Sequence, residues 1–472
     1  MEFFQTMSEL SRLVHQRQVS PVEIVKETLK RIDLCNDDIN AFVHRDDSRA
    51  LDMARQLERE LADNAYRGPL HGIPFSVKDL LPVAGTPLTL GLLPRKDIEP
   101  SSATATVVIR LQRAGGIVIG KTNTSEVGYK GTTENHLFGP TANPWNHRFN
   151  AGGSSGGGAA AVALGLGSFA IATDSGGSIR IPASCCGVFG YKPSFGRIPY
   201  DGVRYPLLSH VGPLTRSVED ALVIMDAVCG WSTRDPYSLP YCDWQASETV
   251  VSTGVSSVVW SENLGFARVD PEVARLSFEG AGRLAEALNV PLGECLLDLS
   301  EIQEARKILS LLNHAHRTEL LGYRGRADEV DNALVETVER AVNVTSGELV
   351  AAEGIRTDWR LKLTEYLGKT TLLVTPTIGS MPFPLESKYP DTLIGKSDGT
   401  RALYALTSPF NILNEFPAAN VPVAISSGGL PVGLQVVGGA RQDKRLLLAL
   451  RTFERQECGS GGFPAPRFAA GL

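Results

Sequence analysis

Lys78, Ser154 and Ser178 are the residues of this sequence whose types and surroundings could do chemistry. The serines sit in two glycine-rich runs, Gly152-Gly153-Ser154-Ser155-Gly156-Gly157 and Asp174-Ser175-Gly176-Gly177-Ser178-Ile179-Arg180, and the lysine ends the segment Ile73 to Val77. A serine hydroxyl is a poor nucleophile until a base takes its proton. A lysine can be that base only where burial lowers its pKa from about 10.4. Glycine immediately before a serine lets a substrate carbonyl approach the backbone, where free N–H groups can hold an oxyanion. Singly, each feature has a plainer reading, a loop or a solvated charge. It is the set that points to a serine attacking a carbonyl.

Other motifs fit less well. Gly152 to Gly156 matches G-x-S-x-G around Ser154, but a nucleophile elbow needs a strand before it, and Asn143-Pro144-Trp145-Asn146-His147-Arg148 is not one. Gly153 and Gly158 have phosphate-loop spacing, yet Ala159-Ala160 stands where Lys and Ser/Thr are required. Gly165-Leu166-Gly167-Ser168-Phe169-Ala170 resembles a dinucleotide fingerprint, but it joins a helix to a strand, the reverse of the required order. His314-Ala315-His316 is read as a surface pair on a helix, where neighbours two apart diverge and no carboxylate pair lies close by. No metal and no cofactor are expected.

The elements that must position these residues alternate between strand and helix. Ser20-Pro21-Val22-Glu23 is a capping box with proline at the first helical position, and Val22, Val25, Leu29 and Ile32 follow at helical spacing. Ala50, Leu51, Ala54, Leu57 and Leu61 mark a second helix, and Thr104 to Ala114 a third. Ile73, Phe75 and Val77 alternate along a strand, with Pro74 suggesting an edge position. Ile117-Val118-Ile119, Phe169 to Thr173, Leu372-Leu373-Val374 and Leu434-Gln435-Val436-Val437 are short buried strands, and Ala159 to Leu164 is a helix of small residues. Residues 230 to 330 read as helical with a polar surface. The class is α/β.

Length and composition set the bounds. The 472 residues suggest roughly three domains by length alone, but with no internal repeat or clear linker one compact domain, 1–472, is expected. A content of 43% hydrophobic and 21% charged residues is that of a globular protein. With 46 basic and 52 acidic side chains, a net charge of −6, there is no basic excess for nucleic acid. The seven cysteines form no C-x-x-C, which fits neither a disulfide scaffold nor a zinc ribbon and suggests a reducing cytoplasm. Met1 to Gln5 lacks the features of a signal peptide. Phe149 to Thr173 carries no charge, but seven of its residues are glycine, so no membrane span is expected.

Several runs together resemble the amidase signature family. They are Gly72-Ile73-Pro74-Phe75-Ser76-Val77-Lys78-Asp79, the two serine loops continuing to Ala183, Gly120-Lys121-Thr122-Asn123, Gly131-Thr132-Thr133-Glu134-Asn135, and Gly190-Tyr191-Lys192-Pro193-Ser194-Phe195-Gly196-Arg197. The resemblance reaches Gly433-Leu434-Gln435 and is densest from about 70 to 200; about 230 to 400 would be a variable, helical, substrate-side region.

The resemblance implies a large twisted mixed β-sheet between layers of α-helices. It implies a Ser–cisSer–Lys triad with Ser178 as nucleophile, Ser154 as bridging serine after a cis peptide, and Lys78 as base. Backbone N–H groups from Ser175, Gly176 and Gly177 to Ser178 would hold the oxyanion, with Thr132 in the substrate pocket. Ser155, Asp174 and Arg180 would support the triad from behind. The implied reaction is hydrolysis of a carboxylic amide, or a related hydrazide or ester, through an acyl-enzyme. Expected partners are a small-molecule amide and water, with a homodimer left open. The competing class is the A-type subunit of glutamyl-tRNA amidotransferases; Ile181, where that branch carries Gln, and Leu207-Leu208-Ser209-His210-Val211 depart from its pattern. A non-enzymatic scaffold is disfavoured, because all three triad positions are intact. Glu415, before Phe416 and Pro417, is read as an exposed loop carboxylate rather than a substrate contact.

Overall fold

The computed structural model describes residues 6–201, 207–244, 253–387, 404–458 and 466. The N-terminal segment Met1 to Gln5 and the end of the variable region lie outside the described residues. Among those described, the strands are β1 Phe42–Arg45, β2 Pro74–Lys78, β3 Ile117–Thr122, β4 Phe169–Asp174, β5 Phe189–Lys192 and β6 His210–Thr215. Then come β7 Ser257–Trp260, β8 Leu292–Glu294, β9 Thr371–Pro376, β10 Ala418–Ile425 and β11 Pro431–Val437. They join in one 11-stranded sheet in the order β1-β3-β2-β4-β6-β5-β10-β11-β9-β7-β8. β2 runs parallel to β3 and β4, and β7 parallel to β8 and β9, while the pairings from β4 through β6, β5, β10 and β11 to β9 are antiparallel. The sheet is therefore mixed, and the class is α/β.

Period-two alternation explains why both faces are covered. Phe75, Val77, Phe169, Ile171, Leu434 and Val436 point into one core, shared with the helices Val218–Val228, Pro271–Leu288 and Asp443–Cys458. Ala170 and Ala172 point the other way, into a core shared with the helices Pro21–Ile39, Asp47–Ala62, Gly156–Ala163 and Arg180–Cys186. Leu373 and Val437 feed a third core with the helices Ile302–Leu312 and Ser346–Leu367. A strand buried on both faces reads as a continuous apolar run, as β4 does.

The helix Gly156–Ala163 lies unusually close to the sheet. A Cβ on Gly157 would sit 2.5 Å from Asn123 N and 2.6 Å from Ala41 O, and one on Gly158 3.2 Å from the Ala170 Cβ. This packing divides the uncharged run from Phe149 to Thr173 among a loop, that helix, a turn and β4, and no helix among the described residues is long and apolar enough to cross a membrane.

Two expectations change. Pro74 is not on an edge strand: β2 lies between β3 and β4. Proline is tolerated there because it is the first residue of the strand, where the missing N–H interrupts no ladder. The region 230–330 is not helical throughout, since β7 and β8 extend the sheet. Each is only three or four residues long, too short for alternation to stand out against the helices around it.

Candidate active site

Lys78 reaches the site by strand period. Phe75 and Val77 face one core, so Lys78 projects to the opposite face, under the N-terminus of the helix Gly156–Ala163. It is fully buried. Its Nζ lies 2.7 Å from Ser154 Oγ, 2.7 Å from Ser155 Oγ and 3.1 Å from Thr173 Oγ1. All three partners are neutral hydroxyls. Burial therefore pulls the ammonium down to about 7, against the weaker attraction of Asp174. Near neutral pH a substantial fraction of Lys78 carries no proton and can accept one.

The loop ahead of the helix holds Ser154. The Gly153–Ser154 peptide is cis. A Cβ on Gly153 would stand 2.4 Å from the Thr132 carbonyl, so only glycine fits between the two loops. Thr133 Oγ1 accepts the Gly156 N–H at 2.8 Å, tying the same loops together. Gly128 packs against Ser154 from the other side, where a Cβ would lie 3.2 Å from its hydroxyl.

Ser178 comes from the turn after β4, the parallel neighbour of β2, so Lys78 and the Asp174–Ser178 turn lie at the same, C-terminal end of these two central strands. Asp174 shapes this turn. Its fully buried carboxylate accepts the Gly177 N–H at 2.7 Å and the Ile179 N–H at 3.2 Å, and Arg180 forks onto both oxygens at 3.0 Å. Asn411 Nδ2 adds a bond at 2.8 Å. Burial, the largest single influence, would raise the carboxyl's pKa, but Arg180, with Asn411 and His210 adding to it, holds the group well below the usual carboxylate range. Arg180 in turn donates to Thr407 O, Gln435 Oε1 and Asn411 Oδ1. Removing one partner of a buried pair costs about 3–5 kcal/mol, because the other charge is left bare. Arg180→Met is thus expected to lower unfolding free energy by that amount in urea melts at pH 7. A change below about 1 kcal/mol would mean that Asp174 is not held as described.

The amides of the turn are not equivalent. Gly177 gives its N–H to Asp174, so it is not available to an oxyanion as the resemblance implied. The N–H groups of Gly176 and Ser178 have no partner among the described residues. Gly177 serves the turn's shape instead: its φ is +125°, and a Cβ there would collide with Thr407 Oγ1 at 2.1 Å. The Ser175 hydroxyl is 2.7 Å from that of Ser209.

Ser178, Ser175, Gly176 and Thr132 line one cleft of about 830 Å³. Ser154 and Lys78 lie buried behind it, and no hydrogen bond joins Ser154 to Ser178, whose hydroxyl is free among the described residues. Apolar Ile181, Leu208 and Ile412 line this cleft, and so do Lys130, Glu134 and Asp331, which form a charged group. Lys130 Nζ contacts Glu134 at 2.5 Å and Asp331 at 3.1 Å.

Thr173, Asn411 and Thr407 were not singled out from the sequence. Thr173 could have been, as the residue before Asp174; Asn411 and Thr407 carry no local signal, because their partners are more than two hundred residues away. Two readings are corrected. Glu415 is not an exposed loop carboxylate: only 17% of its side chain is accessible, and Arg360 grips it with Nε 2.6 Å from Oε2. His314 and His316 lie in the turn after the helix Ile302–Leu312, not on it, and His314 faces the cleft. Among the described residues no three His, Cys, Asp or Glu side chains are grouped to hold a metal ion.

Comparisons with known proteins place this mixed sheet, with its buried lysine beneath two serine loops, in a known family. The Amidase family profile matches residues 23–447, and the chain belongs to the amidase signature family of carbon–nitrogen hydrolases. Acylamidase from Rhodococcus erythropolis is 37% identical over 454 residues, covering 95% of this chain and 94% of that protein. The A-type subunit of the glutamyl-tRNA(Gln) amidotransferase from Moorella thermoacetica is 32% identical, covering 96% of each chain. A bacterial aryl acylamidase of the amidase signature family superposes with a TM-score of 0.88 at 29% identity, covering 96% of each chain.

Proposed function

We propose that this enzyme hydrolyses acyl amides through an acyl-enzyme on Ser178, with Lys78 as base and Ser154 as proton carrier. Neutral Lys78 takes the proton of Ser154, and Ser154 that of Ser178 once the two hydroxyls are brought into hydrogen-bond contact. Ser178 Oγ then attacks the amide carbonyl carbon, and the carbonyl oxygen, now negative, is met by the N–H groups of Gly176 and Ser178. Collapse breaks the C–N bond, and the proton returns through Ser154 to the departing amine. Water, losing a proton to the same relay, attacks the ester, releases the acid and restores Ser178. Ser155 and Thr173 hold Lys78, and Asp174 with Arg180 holds the turn.

The observation that carries this reading is the burial of Lys78 in contact with three neutral hydroxyls and with no carboxylate paired to it. The apolar Ile181 and Leu208 in the wall suit an aryl or alkyl acyl group better than the side chain of glutamine. This weighs against a glutaminase that works with partner subunits.

A panel of anilides, primary amides, hydrazides and esters, assayed for released amine, ammonia or hydrazine, tests the reading. Anilides should turn over faster than glutamine, with EDTA leaving the rate unchanged. Glutamine as the best substrate, or activity lost to EDTA and restored by a divalent ion, would overturn it.

A further inference from the structure

The part of the cleft wall formed by the helix Ile302–Leu312 and the turn after it carries polar groups that the acyl-transfer steps do not use. Most polar groups around them are already satisfied. Lys307 pairs with Glu304 at 2.7 Å, and Lys130 with Glu134 and Asp331. The hydroxyls of Ser310 and Thr337 donate back into their own helices, to Arg306 O and Ala333 O, at 2.6 Å.

Arg306 and Arg340 are the arginines of this cleft without an ion pair among the described residues; Arg340 is exposed, and Arg306 is the one set into the wall. Its Nε donates to Gln303 Oε1 at 2.7 Å, and its two terminal nitrogens have no partner among the described residues. The side chain is half-buried in the cleft wall, and burial pulls its pKa down, against the attraction of Glu304. In the following turn, Asn313 Oδ1 and His314 Nδ1 are buried without a hydrogen bond, and both residues line the same cleft. Burial, with Arg317 and His316, pushes His314 down to about 3, so it is neutral at ordinary pH. A half-buried guanidinium whose terminal nitrogens lack a protein partner gains most from a ligand that supplies an anionic one.

We propose that Arg306 selects amide substrates bearing a carboxylate, gripped by its two free guanidinium nitrogens, with Asn313 and His314 offering neutral hydrogen-bonding positions in the next turn. The fork geometry matches a carboxylate bidentately. This deepens the amidase reading and rests on it: the substrates would be aryl or alkyl amides that carry one carboxylate, such as half-anilides of dicarboxylic acids or N-acylated aminobenzoates, and not the primary amide of an amino acid.

Calorimetry on Ser178→Ala protein, which cannot turn substrate over, tests the proposal with three anilides. Glutaric acid monoanilide carries the carboxylate on the acyl side, N-acetyl-4-aminobenzoate carries it on the amine side, and pentananilide is neutral. One of the two acids should bind at least about tenfold more tightly than pentananilide, and which one identifies the side that Arg306 reads. Adding Arg306→Gln should bring the ratio to within about twofold, while Arg306→Lys keeps the charge and part of the preference. In the parent Ser178→Ala protein, added salt should narrow the ratio, a readout that needs no change at Arg306. Equal binding of all three anilides, or a preference that survives Arg306→Gln, would overturn the proposal. Ser178-dependent hydrolysis of pentananilide by wild type is scored separately, so failure of the carboxylate preference is distinguishable from failure of the amidase reading.

Discussion

Ser178→Ala is expected to abolish turnover, with a fall in kcat of roughly 10⁴–10⁶, the scale seen when a nucleophile is removed. The change deletes one oxygen from a half-buried side chain that makes no hydrogen bond among the described residues, so thermal stability should stay near wild type. Ser154 needs a different expectation. It lies in the G-x-S-x-G run, and a motif search would choose it as nucleophile, yet it is 1% exposed and set behind the cleft against Lys78. Ser178 lies on the cleft wall, and its own N–H and that of Gly176 are free to meet an oxyanion. A fluorophosphonate should therefore label Ser178 in wild type, and Ser178→Ala should not be labelled. Ser154→Ala should label slowly but still on Ser178, and it should lose more activity on amides than on esters, because an amine leaving group needs the relayed proton. Peptide mapping that placed the adduct on Ser154 would reverse the two roles.

Lys78→Ala is expected to lower kcat/KM by about 10²–10⁴, the usual contribution of a positioned base. In wild type, kcat/KM should fall on the acid side with an apparent group near 7, because protonated Lys78 cannot take the proton of Ser154. The variant should lose that limb. Stability offers an independent check. The folded-state pKa of Lys78 is depressed from 10.5 to about 7, so between those values the unfolded chain binds the extra proton. The destabilisation is complete below about 7 and vanishes above about 10.5, so wild type should gain stability relative to Lys78→Ala as pH rises through that window. A wild-type acid limb retained by the variant, or a stability difference flat in pH, would remove Lys78 from the role of base.

Much of the site was legible in the residues because its parts are local in the chain. The capping box at Ser20 appears with both reciprocal bonds, and the strand ending at Lys78 follows from alternation over five residues. The serine loops announce themselves by glycine, and the structure gives the reason at two positions. A side chain at Gly153 would strike the Thr132 backbone, and one at Gly177 would strike Thr407 while holding a φ of +125°. Types and spacings of this kind are set by contacts within a few residues, or by steric demands that only glycine meets.

What lay beyond reading depends on how the folded chain commits each group, often through partners far apart in sequence. Whether Pro74 starts an edge strand or a central one depends on β4, almost a hundred residues later. Glu415 reads as a solvated charge until Arg360 is found against it, and the resemblance implied Asp174 and Arg180 as supports of the triad without the part of Asn411 in holding them. The Gly177 amide shows the same limit most directly. Sequence places it before the nucleophile, where any free N–H could serve an oxyanion, but only the folded turn commits it to Asp174 and leaves those of Gly176 and Ser178 open. Residue order specifies which groups are present and their local geometry. Burial and long-range partners decide which of them keep a charge, lose a proton or remain free, since both desolvation and hydrogen-bond satisfaction are properties of the assembled environment.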